Sequence, residues 1–255
     1  MTQPRAGIVY GVHPVEEALR SGRPIETLYL AEGARGGRLR AIEELARGRG
    51  VAVRRLDARA LDRMAAGGVH QGVAAEVGAR PAAELEDVLA GLAGRAEALL
   101  VVLDGVQDPH NLGAVVRNAA LTGAAAVLIP KDRSAGVTPV VEKVAAGGLE
   151  HVPVVRVGNV VQTLRKLKDD EGFWIFGAAG DAGAEDYDRV DFSGRVALVL
   201  GEEHGGLRRL TREHCDRLVR IPSTGVIDSF NLATASGIIL ARIYGERRRA
   251  PTDNC

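Results

Sequence analysis

Six consecutive apolar residues, Ala98-Leu-Leu-Val-Val-Leu103, constrain this chain more than any other segment. A strand with no polar position has no face to give to water, so it belongs inside a parallel sheet covered on both sides. The chain downstream continues in kind. Strands are expected at 126–129, 152–154, 174–177, 196–200 and 218–220, and helices at 160–167 and from Leu232 to Arg247. This alternation predicts an α/β domain with a parallel sheet and helices on both faces. Ordinary connection rules make such a sheet unknotted.

Residues 7–77 read as a smaller α/β unit. Helices are expected from Pro14 to Arg20, with proline in the first turn, at 39–47 and at 58–64. Strands are expected at 25–31, 51–54 and 73–77. Residues 78–97, with Gly78, Pro81 and an acidic alanine-rich run, read as a linker with a helix at 85–92. The expected division is therefore 1–77, a linker at 78–97, and 98–255.

The net charge is zero, so distribution carries the argument. Arg35, Arg38, Arg40, Arg47, Arg49, Arg54 and Arg55 fall in one segment, and Arg242, Arg247, Arg248 and Arg249 close the last helix. Such clusters either neutralise phosphates or coat solvated helix faces. Cys215 and Cys255 have no metal-binding spacing, which suits a reducing compartment and no metal. With no membrane-length apolar run and no signal-peptide core, a cytoplasmic location is expected.

Three later stretches are rich in small residues and in polar groups set in short loops. They are Val102-Leu-Asp-Gly-Val-Gln-Asp-Pro-His-Asn-Leu-Gly-Ala-Val-Val-Arg-Asn118, Leu198-Val-Leu-Gly-Glu-Glu-His-Gly-Gly-Leu207, and Val219-Arg-Ile-Pro-Ser-Thr-Gly-Val-Ile-Asp-Ser-Phe-Asn-Leu-Ala-Thr-Ala-Ser-Gly-Ile-Ile-Leu240. A helix of small residues lets another backbone come very close. Polar groups in so small a loop suggest a ligand held largely by main chain.

Together the stretches resemble the three motifs of the SpoU/TrmH family, S-adenosylmethionine-dependent RNA ribose 2′-O-methyltransferases with a knotted SPOUT α/β domain. The resemblance covers about residues 99–249. Gly11-Val-His-Pro-Val-Glu-Glu-Ala-Leu19, with His70-Gln-Gly-Val73, resembles the family's substrate-binding domain, similar in fold to ribosomal protein L30e. That pairing implies RNA binding by the N-terminal unit, a guanosine of large-subunit (23S) rRNA as target, and a homodimer joined through the knotted region. The apolar last helix fits such an interface and fits a monomer core equally well.

The chemistry assigns roles residue by residue. A ribose 2′-hydroxyl holds its proton at neutral pH, so methyl transfer needs alignment and a group that stabilises or receives the proton. Arg117 matches the family's proposed activator of that hydroxyl. Because arginine keeps its proton, binding the target phosphate and favouring the alkoxide is the physical form of this role. The alternative is an arginine anchoring its helix to an acid. Asp108-Pro109 and Asn111 can cap the helix start, and Asn111 can also orient Arg117. His110 reads as a loop histidine, and Asp104, Gln107 and Asp108 as turn residues.

Glu203, rather than Glu202, matches the family glutamate, either tying loops together or facing the substrate. Gly201 would offer backbone to the cofactor. Ile221 and Phe230 match positions that hold its adenine and methionine parts, with Leu200, Pro222 and Gly225 beside them. Ser229 and Asn231 match a Ser-x-Asn motif that orients the ribose or satisfies loop carbonyls.

Pro222-Ser-Thr224 and Phe230 depart from the commoner motif and leave substrate identity open to tRNA, another rRNA nucleotide or a resistance-type modification. A nicotinamide or nucleotide enzyme lacks its glycine fingerprint here. A non-catalytic ribosome-assembly factor remains the other class.

Overall fold

The computed structural model describes residues 7–34, 36–78, 82–181, 183–203, 205–226 and 229–249. Arg35, Pro81 and Cys255, with His204, Ile227 and Asp228 of the motif stretches, lie outside the described residues. The chain divides into two compact units: Met1–Ala82 with Val137–His151, and Ala83–Gly136 with Val152–Cys255.

The first unit holds a sheet of β1 (Gly7–Tyr10), β2 (Ile25–Ala31), β3 (Ala52–Leu56) and β4 (Val73–Val77) in the order β1-β4-β2-β3. β4 is antiparallel to β1 and β2, and β3 is parallel to β2. α1 (Val12–Arg20) and α2 (Gly37–Gly48) bury Val15, Leu19, Ile42 and Ala46 against the sheet's Val9, Leu28, Leu30 and Val73. α3 (Ala58–Met64) starts at Asp57, whose carboxylate accepts from the Ala60 amide at 2.7 Å, and packs Leu61 against Tyr10 and Ala74.

Residues 137–151 correct the expectation of a contiguous N-terminal unit. They carry α6 (Pro139–Ala145), with Thr138 at its N-cap and proline in its first turn, and a 3-10 turn at Gly148–Glu150. Charge holds them to α1 and the loop that follows it. The Arg23 guanidinium reaches Glu142 and Glu150 at 3.2 and 3.4 Å, and His151 Nε2 lies 2.7 Å from Glu17 Oε1. Gly147 has φ of +93°, and a Cβ there would lie 2.6 Å from that of Glu17, so both conformation and space require glycine.

The second unit is built on a seven-stranded, all-parallel sheet. Its strands are β5 (Ala98–Leu103), β6 (Ala126–Pro130), β7 (Val154–Val157), β8 (Trp174–Ala178), β9 (Glu185–Asp186), β10 (Arg195–Leu200) and β11 (Arg217–Arg220). Their order is β7-β6-β5-β10-β8-β11-β9. All six residues of β5 are buried, as the run of apolar residues requires. Leu100 and Val102 face a core shared with α4 (Leu85–Gly91) and α7 (Val160–Asp169). Leu99, Val101 and Leu103 point the other way by strand alternation, toward the side of α5 (Pro109–Leu121) and α9 (Leu232–Arg247).

Two expectations change here. Leu85, Leu89 and Leu92 form a helical stripe in that core, so the segment read as a linker is part of the second unit from residue 83. The strand expected at 152–154 starts at Val154, because Pro153 has no N–H for the ladder and contributes its carbonyl to the Val127 amide at 3.0 Å. β9 and the short α8 (Arg209–Glu213) were not expected.

Candidate active site

The loops leaving β8, β10 and β11 meet the start of α9 around a cavity of about 250 Å³. Carboxyl ends of parallel strands are where open α/β sheets hold ligands. Ala178–Gly180 end and follow β8, Leu200–Glu203 and Gly206 end and follow β10, and Arg220, Ile221 and Ser223 end and follow β11. Ser229 and Phe230 close the rim, and Leu232, Ala235 and Ile239 present one face of α9.

Gly201 sets how tightly this site closes. The loop after β10 turns back so that the Glu202 amide donates to the Gly206 carbonyl at 3.0 Å, and the Gly206 amide to the Glu202 carbonyl at 2.9 Å. A methyl group on Gly201 would overlap the Gly206 carbonyl and the Leu207 amide. Glu202, rather than Glu203, performs the tying role. Its carboxylate lies where a Gly105 side chain would be and pairs with Arg208, whose amide donates to Asp104 Oδ2 at 2.8 Å. Asp104, almost fully buried, therefore joins the exits of β5 and β10 and is more than a turn residue. Glu203 is exposed, lines the cavity, and has no hydrogen bond or ion pair among the described residues.

A second set of contacts binds the first motif to the third. Asp108 caps α5, accepting from the His110 amide at 2.8 Å, with Pro109 in the first turn. Asn111 Nδ2 donates to Asp108 Oδ2 at 3.1 Å, and Asn111 Oδ1 accepts from Asn231 Nδ2 at 3.1 Å. Asn231 Oδ1 caps α9 through the amides of Ala233 and Thr234 at 2.8 and 3.3 Å. Asn111 and Asn231 are thus both engaged in holding helix starts. The His110 amide bond, with a smaller contribution from Asn111, holds the Asp108 carboxyl below its ordinary range.

Of the sequence-predicted residues, Leu200, Gly201, Glu203, Ile221, Ser229 and Phe230 line the cavity. Pro222, Gly225, Asn111, Asn231 and Arg117 do not. Arg117 lies exposed on α5 with no hydrogen bond or ion pair among the described residues, so it is not a helix anchor. The wall from Ala178 to Gly180 was missed; its signal is the Gly177-Ala-Ala-Gly180 run directly after a predicted strand.

The arginine clusters separate. Arg247 donates to the Ala98 and Gly194 carbonyls, and Arg242 pairs with Glu246, so the C-terminal cluster serves the fold. In the N-terminal segment Arg47 and Arg55 pair with Glu43, and Arg49 donates to carbonyls at the end of α1. Arg38, Arg40 and Arg54 have no ion pair among the described residues, and Arg38 Nη1 lies 3.2 Å from His13 Nε2. Cys215 is no nucleophile: burial pushes its thiol up to about 12.

Residues 98–241 match the SpoU rRNA Methylase family, and residues 8–82 match the RNA 2′-O ribose methyltransferase substrate binding family. The chain is 45% identical over 243 residues to the 23S rRNA (guanosine-2′-O-)-methyltransferase RlmB of Xanthomonas axonopodis pv. citri, covering 94% of this chain and 96% of that one. Identity is also 45% over 248 residues with RlmB of Pseudomonas aeruginosa, covering 96% and 98%. The SpoU methyltransferase AviRb of Streptomyces viridochromogenes has a similar structure, with a TM-score of 0.79, 26% identity and 95% and 90% coverage. Its complex with the cofactor AdoMet has a TM-score of 0.77 and 25% identity, covering 96% and 92%.

Gly201→Ala is expected to destabilise the protein by roughly 1–3 kcal/mol, in the range of overpacked sites, measured by denaturant unfolding. The Asp108 cap has a pH signature. Its folded pKa is depressed, so its stabilisation is present at neutral pH and disappears as pH falls through that lowered value. The melting temperature of Asp108→Asn should therefore lie below wild type at pH 7, with the gap closing below about pH 4, the ordinary aspartate range.

Proposed function

The chain belongs to the SpoU rRNA methylase family, and we propose that it is an S-adenosylmethionine-dependent methyltransferase acting on the ribose 2′-oxygen of a guanosine in 23S rRNA. The observation that carries this reading is near-full-length identity of 45% to relatives with that activity, on a chain whose second and third motifs meet at one cavity.

The residues present fit the cofactor. Leu200, Ile221, Leu232 and Ile239 give an apolar wall for a nucleoside, Gly201 brings main chain to its surface, and Glu203 places a carboxylate beside a cation. When bound, the cofactor supplies an electrophilic methyl group on a sulfonium. The protein must then bring the 2′-oxygen into line and lower the cost of its negative charge. Arg117 takes that role, binding the adjacent phosphate and stabilising the developing alkoxide as a permanent cation. Glu203 and Ser229, on loops at the rim, face the ribose, while Asn111 and Asn231 set the starts of α5, which carries Arg117, and of α9, which walls the cavity.

The N-terminal unit is assigned to RNA capture, with Arg38, Arg40 and Arg54 on phosphates. The catalytic domain is read as knotted and the protein as a cytoplasmic homodimer. Two observations support pairing: Arg117 is absent from the cavity lining of its own chain, and Leu121 and Tyr244 leave apolar surface on α5 and α9.

Arg117→Ala should reduce single-turnover methyl transfer to 23S rRNA by about 100-fold or more, with cofactor affinity retained. An unchanged rate removes the assigned role. Replacing Arg38, Arg40 and Arg54 together by alanine should reduce the slope of log RNA affinity against log salt by about 2–3 and leave cofactor binding intact. An unchanged slope places phosphate capture elsewhere.

A further inference from the structure

α9 separates two parts of the proposed reaction. One face, through Leu232, Ala235 and Ile239, is wall of the cavity. Another face packs on α5, the helix that carries Arg117. Beyond their starts, the Asn118 carboxamide joins the two helices by hydrogen bonds. Its Nδ2 donates to the Ala233 carbonyl and to Ser236 Oγ, both at 2.9 Å, and Ser236 Oγ donates to the same carbonyl at 2.7 Å. Ser236 is fully buried. Gly237 makes room: a Cβ there would come within 3.2 Å of Asn118 Nδ2.

Asn118 sits seven residues after Asn111, two helical turns on, so both contact α9 from one face of α5. Val115, Val116 and Ala119 bury apolar surface, which is non-directional and permits sliding. Two hydrogen bonds at defined angles do not. Asn118 is also the immediate neighbour of Arg117, whose own side chain no described residue holds.

We propose that Asn118 is a positioning residue for methyl transfer, locking the Arg117-bearing turn of α5 to the cavity helix through Ala233 and Ser236. The inference rests on the function proposed above. It implies that filling the cavity stiffens α5 through this contact. The geometry also keeps the fold tolerant of losing it, because Ser236 still satisfies the Ala233 carbonyl.

The test uses the full chain with S-adenosylmethionine and 23S rRNA. Asn118→Ala should keep cofactor affinity within about twofold and reduce kcat about tenfold or more at saturating RNA, as a displaced catalytic group does. In an Arg117→Lys background the same change should cost little more, since there is no correctly held guanidinium left to misplace. Gly237→Ala, whose methyl group would crowd Asn118 Nδ2, should lower kcat in the same direction and by less. Hydrogen exchange gives a readout independent of turnover: the cofactor should slow exchange of α5 amides at 115–121 in the wild type and not in Asn118→Ala.

An Asn118→Ala protein with unchanged kcat, or with kcat and cofactor affinity falling in parallel, overturns the proposal. So does a wild type that binds cofactor without slowing exchange in α5. A wild type that binds no cofactor overturns the function proposed above and this inference with it; one that binds and transfers leaves that function standing whichever way Asn118 behaves.

Discussion

At Gly201 one stretch of main chain lies against another with no space for a side chain between them. That contact makes the loop after β10 turn back on itself within six residues, and the turn forms one wall of the cavity. The neighbouring contacts depend on it. Glu202 can reach Arg208, and Arg208 can meet Asp104, only because the loop closes there. A buried carboxylate without such partners would be costly, so the Asp104 contact and the glycine turn reinforce each other.

The other organising element is α9. Its small N-terminal residues let α5 approach closely, and its aliphatic positions give the cavity a dry wall. Among the described residues, asparagines make the side-chain hydrogen bonds between the helices. Apolar packing alone holds two helices together without choosing one register, whereas amides that must find partners do choose. The proposed alignment of an oxygen, a methyl carbon and the Arg117 guanidinium requires a single register. The polar seam between α5 and α9 suits an active site better than a purely apolar interface would.

Much of this was legible in the sequence because the strongest local signals agree with tertiary placement. The apolar run at Ala98–Leu103 is a central strand, and the alternation that follows is a parallel sheet. What escaped was short or governed by distant contacts. α6 has only seven residues, three of them valine, and its capping threonine and proline are its main local signal. Its place beside Arg23 depends on charges more than a hundred residues apart in the chain. β9 is two residues long. Within the site, Leu200, Gly201, Glu203, Ile221, Ser229 and Phe230 were found by motif, whereas the small-residue wall Ala178–Gly180, outside the motifs, was not. The division of labour between Glu202 and Glu203 was not, because adjacent glutamates carry no sign of which one meets Arg208. Asn231 shows the same limit: its motif position and its capping of α9 are local, but its bond to Asn111 appears only once α5 lies beside α9.

On the proposed function, the second and third motifs build one cofactor pocket at the carboxyl end of the sheet. A crystal structure of the protein soaked with S-adenosylmethionine tests it most directly. Density for the cofactor is expected between the Gly201 loop, Ile221 and the Leu232–Ile239 face of α9. Density elsewhere, or an empty cavity at millimolar cofactor, would contradict it.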